Sequence, residues 1–562
     1  MIGRALIALV IVAVALVTYP GAILASLATR LSPAAESSPG PPGALPWLHV
    51  VHPAGGRPYI ADEQGRLVIL HGQTPASLLE FGPGTAPAYP IDPSAYAQGA
   101  CPVNDPKTSR YPPLCESDLK AMAELGSNLI RLPISWSVLE PERGQFNSLL
   151  LDRVAQVVDW ARALHMYVII DMHQNAFSHY LSGSDRTVNL AYNSGAPRWA
   201  TFTDGFPSTL LVKDQRELNP AVFEATTNFW YDRDGIQDEY IAALAHVVKR
   251  FKDDSVVAGF GLYNEPWFGW SLPPGFDDLL LFPFYRRAID ALTGTHDGLP
   301  CWSGFFMPAA CGYRDLGVGD RRHLFFLDTG LQREITDFPT HLGMPISSYP
   351  NLVLGLHAYT HIYTLDKFVS QLKDSYPWGG YDQGWDYAEH EAKAMDMALF
   401  MEEFGNNPGP DDTKILATQL REAEKHRVGW AFWTWKENGG TGTWGVFDPP
   451  PATSTDSSAC IRSAREQLLA GVYPRGTADA SATYLFHAAD GTFTLHATGH
   501  VGDPSTVVYL PREVTGQVSS DGGVQIVVSQ EGDGSRLVFG SPSGGGYTIA
   551  VAPAAPHLTQ CS

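Results

Sequence analysis

At 562 residues, 44% hydrophobic and 17% charged, the chain can bury a large core, enough for two or three domains or one large barrel. Its 38 Lys and Arg against 59 Asp and Glu give a formal charge of −21. Such a surface repels a nucleic-acid backbone, argues against that partner, and suits a soluble, self-repelling protein.

Residues 1–30 join Arg4, an apolar run from Ala5 to Leu27 and the small residues Ala25, Ser26 and Ala28, the pattern of an export signal. The run approaches spanning length, so a retained membrane anchor is the second expectation. Either way the folded part lies outside the cytoplasm, and secretion is expected. Residues 31–47 form a Pro/Ser-rich linker. Six cysteines fit an oxidising compartment. Short loops favour pairing Cys101 with Cys115 and Cys301 with Cys311, leaving Cys460 for Cys561 among the connectivities allowed. No Cys/His spacing points to zinc, and no metal or organic cofactor is implied.

Eight near-continuously apolar runs follow, at 68–72, 128–133, 167–173, 256–265, 323–328, 351–359, 398–405 and 428–435. Runs of this kind are expected of parallel strands buried on both faces. Helical patterns separate several of them, for example at 150–164 and 238–251. The alternation predicts an α/β fold, a (β/α)8 TIM barrel over residues 48–470. Arg131, His173, Asn264 with Glu265, Asp328, His357 with Tyr359, Glu403 and Trp433 fall at the C-terminal ends of these runs, the face where such barrels build active sites. Long segments at 174–236 and 265–320 should roof that face. From 471 to 562, short alternating runs separated by DG, GDP, DGG and SGGG turns predict a small all-β sandwich. Packing against the barrel is its plainer role, carbohydrate binding the other.

Glu265 and Glu403 end the fourth and seventh strands. Two carboxylates opposed across a barrel mouth suit glycoside hydrolysis, one protonating the leaving oxygen while the other attacks the anomeric carbon. A separation of about 5–5.5 Å predicts retention of configuration. A pKa of Glu265 raised before attack would limit the rate on the alkaline side.

Asn264-Glu265-Pro266 after one strand and Glu403-Phe404-Gly405 after a later one resemble glycoside hydrolase family 5 over residues 55–440. The resemblance implies Glu265 as acid/base and Glu403 as nucleophile. It implies Asn264 on the sugar 2-hydroxyl, Arg131 paired with the nucleophile, His357 and Tyr359 positioning the carboxylates, and Trp433 flooring the sugar subsite. Glu402 competes with Glu403 for the nucleophile's place, because neighbouring strand residues face opposite ways. Trp433 and Trp435 alternate in the same way. Salt-bridge or core roles are the plainer alternatives for each of these residues.

Within the family, DMHQN (171–175) and GAPRWA (195–200) resemble endoglycoceramidases. That likeness places His173 on a sugar hydroxyl and Trp199 in the sugar cleft. It implies a glycolipid substrate, contact with a membrane surface, a monomer, and detergent or an activator protein to present the lipid. Trp267, Phe268, Trp270 and 279–284 follow the acid/base and would border a greasy aglycone, although 279–284 also reads as a helix face. HGQT (71–74) lacks the family's Asn, no endoglycoceramidase-type Lys lies nearby, and Asn175 replaces an Asp. The glycone therefore stays open between lactosyl, galactosyl and a single glucose. Other family 5 activities and a catalytically inactive carbohydrate-binding protein are the alternatives.

Overall fold

A period-two chain buried on both faces exposes no polar stripe, and the structure turns each such run into a strand with neighbours on both sides. Three short strands come first: β1 (His49–Val51), β2 (Tyr59–Ala61) and β3 (Leu67–Val68). The next eight are β4 (His71–Thr74), β5 (Leu129–Ile134), β6 (Tyr167–Met172), β7 (Val257–Gly261), β8 (Leu324–Asp328), β9 (Leu352–His357), β10 (Ala398–Phe404) and β11 (Trp430–Trp433). They are parallel and close in sequence order, with β11 pairing back to β4. This is the TIM barrel the sequence predicts.

The structure is a computed structural model. It describes residues 43–80, 89–181, 193–212, 215–271, 276–295, 314–339, 346–364, 380–408, 412–438, 443–447 and 461–554. The N-terminal apolar run, most of the linker, and Cys301, Cys311, Cys460 and Cys561 lie outside them. Cys101 and Cys115 form the expected disulfide. No described helix is long and apolar enough to cross a membrane.

Helices cover the barrel through helical-period apolar faces. In Ile236–Phe251 the buried set includes Ile236, Tyr240, Leu244, Val247, Val248 and Phe251. Such spacing puts one stripe against the strands, where burying each large side chain contributes roughly 1.5–3 kcal/mol.

The last six strands are β12 (Tyr473–Thr477), β13 (Thr483–His487), β14 (Thr492–Gly499), β15 (Thr506–Leu510), β16 (Val518–Gln530) and β17 (Arg536–Val551). They form an antiparallel sheet around their own apolar cluster. β17 is long enough to pair first with β15 and then with β14, while β16 covers its other edge. The sheet also takes β1, β2 and β3, through Leu67 opposite Thr477 and Val68 opposite Gly476. The first apolar run is therefore shared: Leu67–Val68 belongs to the sheet, and the barrel begins at His71. Continuous hydrophobicity hides that change of partner.

The sheet docks near the strand starts. His71 stacks on Tyr473 at 3.7 Å and on Trp430 at 4.4 Å, and Tyr473 Oη donates to the Gly126 carbonyl at 2.7 Å. Gly126 has φ +93°, and a Cβ there would meet the Tyr509 ring at 2.5 Å. That close approach demands glycine. These contacts lie at the barrel end opposite the strand termini that carry Glu265 and Glu403.

Candidate active site

Inside the barrel, Leu129, Ile169, Ala258, Phe326, Val353 and Phe400 form one apolar cluster. Two residues farther along four of these strands the same inner face becomes charged: Arg131 follows Leu129, Asp171 follows Ile169, Asp328 follows Phe326, and Glu402 follows Phe400. All four are buried. Buried charges survive only when paired and hydrogen-bonded, and Arg131 supplies the pairing. Its Nη1 lies 2.9 Å from Glu403 Oε2, and its Nη2 lies 2.7 Å from Asn264 Oδ1 and 3.0 Å from Asp171 Oδ2. Glycine makes the room: a Cβ at Gly355 would overlap Glu402 Oε2 and Asp328 Oδ1.

Strict alternation would turn Glu402 and Glu403 to opposite faces. Instead the register of β10 against β9 shifts between Phe400 and Glu403. Both carboxylates then approach Arg131, with Glu402 Oε1 4.0 Å from its Nε. They differ in depth. Burial, then the charge of Asp328, pushes the Glu402 carboxyl well above its usual range, so it sits in the interior as a neutral acid bonded to Asp328. Glu403 sits higher and accepts from Tyr359 Oη as well as Arg131. Burial and the negative charge of Glu403 hold the Tyr359 phenol well above its ordinary pKa, so it stays a donor.

Glu265 follows β7 with φ +44°, a left-handed backbone rare for a side-chain residue. Three hydrogen bonds over-determine it. Gln174 Nε2 donates to the carbonyls of Asn264 at 2.8 Å and Glu265 at 2.7 Å, and the Glu265 N–H donates to Asp328 Oδ2 at 2.9 Å. The carboxyl is 15% exposed, against 7% for Glu403, and takes a 3.0 Å hydrogen bond from His357 Nδ1. His357 Nε2 lies 3.2 Å from Asp328 Oδ2, an ion-pair contact off the line of a hydrogen bond. Glu334, from the short helix Leu331–Thr336, brings its Oε1 within 3.5 Å of the same His357 Nδ1. One oxygen of Glu265 and one of Glu403 lie within 4.8 Å of each other.

Burial alone would lower the pKa of His357, but Asp328, Glu334 and Glu403 outweigh it and raise it well above the ordinary value. The ring is thus an imidazolium at neutral pH. Glu265 departs from the sequence expectation. Burial pushes its pKa up, yet the hydrogen bond and charge of His357, the nearby His173 and a hydrogen bond from Glu334 together hold it below the ordinary value. The glutamate's own segment could not reveal this, because His357 comes from a strand 92 residues away. Glu265 with His357 and Glu403, or Asp328 with His357 and Glu402, also have the spacing of metal ligands.

A raised histidine pKa in the folded state stabilises the fold below the unfolded-state value, about 6.5, and that stability is lost as pH rises through the folded-state value. The melting temperature of His357→Gln should therefore approach that of the parent protein as pH is raised from about 6 towards 9. A gap between the two proteins that stays constant over this range would contradict the imidazolium.

The structure brings Arg131, His173, Asn264, Glu265, His357, Tyr359 and Glu403 together. His173 Nδ1 bonds Asp171 Oδ2 at 2.9 Å, and its ring lies parallel to Trp433, 5.3 Å between centroids. Trp435 turns the other way and is buried, donating to Asp118 Oδ1 at 3.0 Å. Trp199 is not drawn in. It packs edge-on to Trp136 at 5.3 Å, lies under the Arg143 guanidinium and donates to the Glu140 carbonyl. The aromatics after Glu265 divide: Trp267 is buried, as are Leu281, Phe282 and Phe284 of the 279–284 segment, whereas Trp270 and Leu279 are 46% and 48% exposed. Asp171, Gln174 and Glu334 are participants to which the sequence assigned no role, although Asp171 and Gln174 lie within the DMHQN segment; Glu402, weighed as a rival nucleophile, is instead a buried partner of Asp328.

A family model for cellulase (glycosyl hydrolase family 5) matches residues 101–273. Endoglycoceramidase I of Rhodococcus hoagii (strain 103S) is 24% identical over 477 residues, 80% of this chain and 84% of the relative. An endogalactoceramidase crystal structure superposes with a TM-score of 0.68 at 23% identity, over 90% of this chain and 100% of that one. Endo-glycoceramidase II of a Rhodococcus species, solved with ganglioside GM3, gives 0.66 at 22% identity, over 88% and 99%. These two structures share the fold, barrel and sheet alike. The chain is thus endoglycoceramidase-like: similar over residues 101–273 to glycosyl hydrolase family 5, and over most of its length to an endoglycoceramidase.

Proposed function

We propose that this protein is a retaining β-glycosidase that cleaves between the sugar and the lipid of a glycolipid, with Glu403 as nucleophile and Glu265 as acid/base. The observation that carries the reading is the approach of their carboxylate oxygens to within 4.8 Å. Retaining pairs stand about 5–5.5 Å apart, whereas inverting pairs stand about 6.5–9.5 Å apart to admit a water. Glu403, aimed by Arg131 and Tyr359, attacks the anomeric carbon as Glu265 protonates the departing oxygen. Water activated by Glu265 then releases the sugar from Glu403. Asn264, its Oδ1 taken by Arg131 and one amide hydrogen by the Gln174 carbonyl at 3.0 Å, offers its other amide hydrogen to the sugar 2-hydroxyl, a contact that strengthens as the oxocarbenium-like transition state forms. The parallel His173 and Trp433 rings form a wall for the sugar.

Two features support a lipid aglycone. The relative aligned over most of the chain is named an endoglycoceramidase and a superposed structure an endogalactoceramidase, although other relatives are named glucan 1,3-beta-glucosidases. Beyond the strand that leads to Glu265, Trp270 and Phe206 form an exposed aromatic pair, 5.8 Å between centroids, with Phe206 39% exposed. Each buried methylene of a lipid contributes about 0.8 kcal/mol. The apolar surface is narrower than the sequence implied, since Trp267 and Phe284 are spent in the core. Mass analysis of products from gangliosides, galactosylceramide, glucosylceramide, a steryl glucoside and soluble cellulose, with detergent, tests the reading. Free ceramide with the released sugar is expected; cleavage of cellulose alone would overturn it. Glu265→Ala should slow glycolipid cleavage by about 10²–10⁴-fold. With an activated aryl glycoside it should accept azide, giving a β-glycosyl azide. An α-azide, or no loss of rate, would contradict the role.

A further inference from the structure

A proton must be on Glu265 when the leaving oxygen departs, yet its neighbour His357 is an imidazolium that favours the carboxylate. The proton has another place to wait. Glu334 is buried, and its Oε1 faces the same His357 Nδ1 that binds Glu265, at 3.5 Å against 3.0 Å. We infer, resting on the glycosidase reading, that Glu334 is a positioning residue that stores the proton Glu265 delivers. Glu334 and Glu265 behave as one carboxyl pair sharing one proton beside the His357 imidazolium.

The groups facing Glu334 come from four elements: Glu265 after β7, Asp328 at the end of β8, His357 at the end of β9 and Glu403 near the end of β10. Burial, then the charge of Glu265, pushes the Glu334 carboxyl well above its usual range, against the pull of His357. Its own helix turns its other charges elsewhere: Arg333 pairs with Glu391 at 3.1 Å and approaches Asp337 at 3.7 Å. Two close carboxyls titrate as a pair, and the first proton belongs to both. In the resting site that proton sits on Glu334 and is donated to Glu265. As the glycosidic bond breaks, the proton passes from Glu334 to Glu265 and from Glu265 to the leaving oxygen, the electron pair of the C–O bond goes with that oxygen, and Glu334 is left as the carboxylate. Glu403 forms the new bond to carbon. Glu265 then takes a proton from the attacking water and passes it back to Glu334, which restores the pair. Substrate and water account for every atom, and no oxidant or reductant is needed.

The test compares Glu334→Gln and Glu334→Asp with the parent protein, each first shown to melt cooperatively. It measures kcat/KM against pH on two substrates, a glycolipid and a dinitrophenyl glycoside whose leaving group needs no proton. Glu334→Gln should lose about 10²-fold on the glycolipid, with its alkaline limb moved to lower pH by about one unit or more. It should keep the dinitrophenyl rate within about threefold, and Glu334→Asp should restore most of the limb. Equal losses on both substrates, or an alkaline limb that does not move, would overturn the inference. A parent protein inactive on both substrates would instead overturn the glycosidase reading on which it rests.

Discussion

Glu403→Gln is expected to lower glycolipid turnover on the order of 10⁴-fold or more while glycolipid binding is kept. The amide fills the same space: its oxygen accepts from Arg131, and its NH2 donates to Tyr359 Oη, whose hydroxyl turns to accept, so the mouth keeps its shape. What it lacks is the charge and the nucleophilic oxygen that form a glycosyl ester. The parallel change Glu402→Gln should be far milder, because Glu402 is already held as a neutral acid by its burial and by Asp328. Turnover with single-exchange kinetics and binding by calorimetry separate the two variants. A Glu403→Gln protein keeping more than about 1% of activity would contradict the assignment.

Arg131→Met should be the most destabilising single change in the site, by about 3–5 kcal/mol. Arg131 is fully buried and holds Glu403 and Asp171 at 2.9 and 3.0 Å. Burial lowers its pKa, but Asp171, Glu402, Glu403 and Asp328 more than compensate and raise it. Removing the cation leaves carboxylates facing one another in a dry interior. Because protonation relieves that repulsion, the destabilisation should shrink as pH falls from about 7 towards 4. Urea unfolding midpoints at the two pH values check it. A loss below about 1 kcal/mol, or one that grows on acidification, would contradict the buried network.

The barrel was legible because parallel strands buried on both faces leave continuous apolar runs, and seven of the eight survive as single barrel strands while the first is divided between sheet and barrel. The site was legible where polar residues interrupt the ends of those runs, as Asn264, Glu265, His357 and Glu403 do. What the chain hid was relational. Leu67–Val68 is as apolar as the residues that follow, so its pairing with Thr477 and Gly476 leaves no local mark. The register shift in β10 brings Glu402 inward beside Glu403, which alternation forbids. Glu334 sits in a six-residue helix with no amphipathic signature, and its meaning comes from His357 on another strand. The lowered pKa of Glu265 has the same origin. Trp199 lies within a familiar-looking segment but is claimed by Trp136 and Arg143.

The most direct test is covalent. Incubating the protein with a fluorosugar inactivator, fluorine replacing the 2-hydroxyl, slows release of the glycosyl-enzyme so that peptide mass mapping can locate the sugar. One glycosyl group on the Glu403 carboxyl is the predicted result. Attachment at Glu402 or any other side chain, or products of inverted anomeric configuration from the natural substrate, would contradict it.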